Sequence, residues 1–109
     1  MSMSKDEFAQ YLNPTSMQGG FAQLINTKGE VTSVNPENGK TFSLSELQKM
    51  VGGYIEIIPF QNQVMVVNEE GKINGSKLNE EASVIFSNTY GHIDAIYGNV
   101  IMCSSELIN

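Results

Sequence analysis

A chain of 109 residues, 40% of them hydrophobic and 17% charged, is long enough for one hydrophobic core and too apolar for a disordered segment. Twelve acidic residues stand against six lysines and no arginine, for a net charge of −6. That balance argues against general binding to DNA, RNA or anionic membranes, which need a basic surface and favour the bidentate guanidinium.

The negative charge suits a basic protein partner, or simply keeps a small domain soluble. The single Cys103 excludes an internal disulfide and a multi-cysteine zinc site, and its apolar surroundings from Val100 to Met102 suit a small buried hydrophobe. No signal-peptide profile opens the chain and no apolar run reaches spanning length, so the expected location is the cytoplasm.

In chain order, residues 1–20 read as an arm outside a single α+β domain at 21–109. Ser4 and Glu7 make a capping box, Phe8, Tyr11 and Leu12 share a helical face, and Asn13-Pro14 stops the helix after about two turns. So short a helix needs a surface to pack on, in its own domain, a second subunit or a partner. Phe21 to Ile25 and Val31 to Val34 form a hairpin around Asn26-Thr27-Lys28-Gly29, with Gly29 closing the turn in the left-handed region. Asn35 to Gly39 is a loop.

The helix from Leu44 to Val51 is the best-specified element. Ser43 and Glu46 form a capping box, Phe42 and Leu47 a hydrophobic staple, and Gly52 a left-handed stop. Leu44, Leu47 and Val51 are expected to make one buried stripe with Met50 beside it. Tyr54 to Ile58 is a strand ended by Pro59, Gln61-Asn62 turns the chain, and Val64 to Val67 returns it. Asn68-Glu69-Glu70-Gly71 repeats the spacing of the first turn, which shared turn chemistry explains without a duplication. Asn79 caps a short helix with Glu80 and Glu81 in its first turn and Ala82, Ile85 and Phe86 inside. Asn88 to Asp94 is expected as a polar loop, and Ala95 to Cys103 as a last strand that starts late or bulges at Gly98. Strands interrupted by two short helices indicate an α+β fold with a mostly antiparallel sheet.

The blocks Leu44-x-x-Leu47-Gln48-x-x-Val51-Gly52-Gly53-Tyr54-Ile55-Glu56, Asn68-Glu69-Glu70-Gly71-Lys72, Asn79-x-x-Ala82 and Gly98-Asn99-Val100 resemble a family of small proteins carried by phages, plasmids and integrated elements. That family is known as a domain of unknown function. The resemblance covers residues 21–103 and implies a mobile-element setting in bacteria. It transfers no catalytic or binding residue.

Chemistry-bearing residues are few. The sole histidine, His92, lies in a polar loop with no nucleophile or orienting group near it in sequence. Glu69-Glu70 and Glu80-Glu81 are adjacent pairs whose side chains diverge, and zinc, EF-hand, P-loop and dinucleotide spacings are missing. No catalytic residue, metal or cofactor is expected. Packing leaves Tyr54 and Glu56 partly unexplained, and an open sheet face would make Glu56 an ordinary outward residue. Glu56 and Glu69 are one pair that folding could bring together. The leading reading is a non-catalytic protein-interaction module, in its narrow form an inhibitor of a host defence or regulatory protein, with Glu69 and Glu70 as partner-binding candidates. The alternative is a small-ligand-binding or sequestering protein using Tyr54, Glu56 and His92; a small enzyme comes third. Homo-oligomerisation has two routes, the N-terminal arm and an edge strand.

Overall fold

The computed structural model describes residues 21–91 and 94–108, so the Ser4–Glu7 capping box and its helix lie outside the described residues. Five strands form one antiparallel sheet: β1 Ala22–Ile25, β2 Val31–Ser33, β3 Ile55–Pro59, β4 Gln63–Asn68 and β5 Val100–Ser104. Their order is β2-β1-β5-β4-β3. Two hairpins are thus joined side to side by the last strand, which slots between them. The α+β reading holds.

Helix α1 (Leu44–Val51) and helix α2 (Glu80–Tyr90) cover opposite faces of this sheet. Strand alternation sorts the core accordingly. Met65, Val67, Val100 and Met102 face Ala82 and Phe86 of α2, while Val64, Val66, Ile101 and Cys103 face Leu47 and Val51 of α1. Both faces of β4 and β5 are therefore buried, which accounts for their unbroken apolar runs. This corrects the expectation of an open sheet face. Glu56 is exposed for another reason: it lies on β3, at the edge of the sheet. Burial also pushes the Cys103 thiol up to about 12, so it stays a neutral core side chain.

The local signals around α1 are realised in full. Ser43 Oγ accepts from the Glu46 amide at 3.1 Å, and Glu46 Oε1 accepts from the Ser43 amide at 2.8 Å. Glu46 Oε2 also accepts from the Glu37 amide at 2.9 Å, tying the preceding loop to the helix. These backbone bonds, first the one from Ser43, hold the Glu46 carboxyl below its ordinary range. Phe42 and Leu47 are both buried in the α1 core, and Gly52 ends the helix with φ 87°. The segment after β5 closes this layer: the Phe42 amide donates to the Leu107 carbonyl at 2.9 Å, and Leu107 is buried beside it.

Two expectations fail, each for a tertiary reason. Leu44 is 58% exposed, so the α1 stripe is buried only from Leu47 onward. Helix α2 runs on to Tyr90, because Tyr90 stacks on Phe86 and packs edge-on against Phe60, which keeps Asn88 to Tyr90 helical. The turn at 68–71 leads on into further turn through residue 75, with Ile73 83% exposed, in keeping with shared turn chemistry and not a duplicated hairpin.

The two Asn-x-x-Gly turns also use their glycines differently. Gly29 has φ 83°, as a left-handed turn closure requires, with Asn26 Oδ1 accepting from the Lys28 and Glu30 amides. Gly71 is buried and has no positive φ. A Cβ there would lie 2.7 Å from the Tyr97 carbonyl oxygen, so close backbone approach is what demands glycine. Gly71→Ala should therefore cost about 1–3 kcal/mol, the usual range for forced overpacking. Urea denaturation reads this directly, and an unchanged midpoint would show that the Tyr97 segment yields freely.

Candidate functional site

Helix α2 leaves β3 partly uncovered on its own side of the sheet. A cleft of about 340 Å³ opens there, floored by Glu56, Ile58 and Val67 and walled by Phe86, Tyr90 and Ile96. Pairing of Glu56 with Val67 puts both on the α2 face. The Glu69 amide donates to the Tyr54 carbonyl at 2.8 Å, which continues the same register one step past the strand. Glu56 and Glu69 are thereby diagonal neighbours on one face, about 7–8 Å apart in backbone terms.

Among the described residues, four charged side chains line the cleft: Glu56, Glu69, Asp94 and Lys72. Three carboxylates against one ammonium leave a net negative rim. Tyr97 and Tyr90 add aromatic surface. The Tyr90 hydroxyl donates to the Pro59 carbonyl, which fixes the far end of the cleft to β3. The turn beneath Glu69 is rigid for reasons independent of the glutamates. Asn68 is buried, its Oδ1 accepts from the Glu70 amide at 2.8 Å, and its Nδ2 donates to the Val51 carbonyl at 3.1 Å. Asn68 thus links the end of α1 to the acidic turn.

The cleft unites some sequence candidates and not others. Glu56 and Glu69 share it. Glu70 is exposed on the same turn but lies outside the lining, and Tyr54, 68% exposed, lies outside it as well. His92 lies outside the described residues. Sequence reasoning missed Asp94, Lys72, Tyr90 and Tyr97, which come from three separate segments. The Asn68-x-x-Gly71-Lys72 block and the aromatic spacing Phe86 to Tyr90 were visible, but nothing local places them around Glu56. Among the described residues, no group of three or more His, Cys, Asp or Glu is arranged to hold a metal ion, and no helix is long and apolar enough to cross a membrane.

Comparison with curated proteins finds no match, and neither does comparison with solved structures. A family model described as a domain of unknown function, DUF3846, matches residues 22–107, from the first residue of β1 to the buried Leu107. Sheet, both helices and the acidic cleft all fall inside the matched span, and the chain belongs to the DUF3846 family.

Proposed function

We propose that this chain is a non-catalytic protein-interaction module that holds a basic partner protein through the acidic cleft beside β3. The observation that supports this reading is the gathering of Glu56, Glu69 and Asp94 around one cleft where, among the described residues, Lys72 alone offsets them. Like charges on one sheet face cost the isolated domain a little stability and gain it nothing, whereas a cationic partner turns that cost into attraction. In the phage or plasmid setting that the family resemblance implies, such a module would act in the cytoplasm by occupying a host defence or regulatory protein.

The test begins with capture of partners from a bacterial lysate, followed by kinetics on the protein found. Joint reversal, Glu69→Lys with Glu70→Lys, should leave folding intact, because Asn68 and the Gly71 packing hold the turn. It should slow association on the order of ten-fold at low salt and flatten its salt dependence. Unchanged association and salt response would remove this turn from the interface.

A second reading is favoured by the size of the cleft, which falls at the lower end of small-molecule pockets. A cationic small ligand would bind there with little dependence on Glu70 and a strong dependence on Glu56. Glu56→Gln against Glu70→Lys separates the two readings.

A further inference from the structure

We infer that β3 receives an extended segment of the partner as a sixth strand, and that this segment alternates basic with apolar residues. The inference rests on the basic-partner reading and adds its binding mode. Backbone geometry carries it. The Glu69 amide donates to the Tyr54 carbonyl, and at the other end the Phe60 amide donates to the Gln63 carbonyl at 2.9 Å. Both contacts obey the β3–β4 register, so residues 54, 56, 58 and 60 turn their backbone groups toward β4. The groups of Ile55, Ile57 and Pro59 then point away from the sheet. Pro59 has no N–H, and its carbonyl accepts from Tyr90. Among the described residues no strand lies beyond β3, which leaves the N–H and C=O of Ile55 and Ile57, two donors and two acceptors in a row, facing outward.

The other edge, β2, also turns two residues outward, but it is three residues long and contributes no lining to the acidic cleft. At β3 the two sides of the open edge differ in chemistry. On the α1 side lie Ile55 and the 41% exposed Ile57. On the α2 side lies Glu56 with the acidic cleft. Side chains of an added strand alternate between those sides, so one set meets isoleucine and the other meets carboxylates. A second copy of this chain fits badly, since pairing β3 with β3 would bring two acidic clefts of two chains at −6 together.

The test uses three synthetic hexapeptides on the isotope-labelled full chain: alternating Lys-Val, the same composition as a Lys block then a Val block, and alternating Glu-Val. Amide hydrogen exchange is followed by NMR. The alternating Lys-Val peptide should slow exchange at Ile55 and Ile57 at least ten-fold, while the other two leave these amides unchanged. Ile57→Pro, which removes an outward N–H, should abolish the protection, and Glu56→Lys, at an exposed position, should do so without touching the backbone. Equal binding of both lysine peptides with no protection at Ile55 and Ile57 would overturn strand addition and leave the basic-partner reading standing. Failure of both lysine peptides to bind better than the glutamate peptide would overturn both. Protection that grows with protein concentration alone would assign the edge to a second copy and overturn the proposal.

Discussion

Asn79→Asp should destabilise the protein as severely as Asn79→Ala, by on the order of 2–4 kcal/mol in urea or thermal unfolding. The figure sums the Gly98 carbonyl left unpaired, at about 1–3 kcal/mol, with a cap worth about 1 kcal/mol in the alanine variant; the Ile25 carbonyl keeps its ladder bond from the Val100 amide. Asn79 is fully buried. Its Oδ1 caps α2 by accepting from the Ala82 amide at 3.0 Å. Its Nδ2 donates to the Ile25 carbonyl at 3.0 Å and the Gly98 carbonyl at 2.8 Å. One side chain thus joins the end of β1, the approach to β5 and the start of α2. Aspartate is as good an N-cap as asparagine, so a residue that only capped would tolerate the change. Here aspartate keeps the cap but aims an acceptor, ionised at neutral pH, at two carbonyl oxygens. If Asn79→Asp fell within about 1 kcal/mol of wild type, the range of ordinary surface changes, the bracket would contribute nothing beyond the cap.

Leu47→Ala should cost about 2–5 kcal/mol, as for other buried leucines, while Leu44→Ala should cost well under 1 kcal/mol. The two residues lie one turn apart on the same helix and stripe. Leu47 is 3% exposed and packs with Phe42, Val51 and Leu107, whereas Leu44 is 58% exposed. A domain of this size has about 5–15 kcal/mol of net stability, so the Leu47 variant sits near its limit and the Leu44 variant does not. Parallel denaturant titrations check both at once. Comparable losses would mean that Leu44 is covered in solution.

Function was less legible than fold. Glu56 and Glu69 could be singled out along the chain, the first because packing did not explain it, the second because it sits in an acidic turn. Their shared face follows from the β3–β4 register, which the short turn at Gln61-Asn62 sets locally. Asp94, Tyr97 and Tyr90 join them through contacts that no local pattern encodes. Asn79 shows the same limit: its capping role was readable three residues ahead, and its bonds to Ile25 and Gly98, 54 and 19 residues away, were not.

By itself the sequence determined what neighbouring residues decide among themselves. The α1 bounds, its capping box and staple, the Gly29 turn, the Asn79 cap and the end of β3 at Pro59 all follow from hydrogen bonds and dihedral limits within a few residues. Tertiary structure alone decided that β5 enters between the two hairpins, burying both faces of the central strands and leaving β3 at an edge. It also decided that Gly71 answers to the Tyr97 backbone, that Leu44 faces water, and that three carboxylates meet at one cleft. These outcomes depend on pairings across dozens of residues, whose energies are set by which surfaces meet and not by the preferences of any one segment.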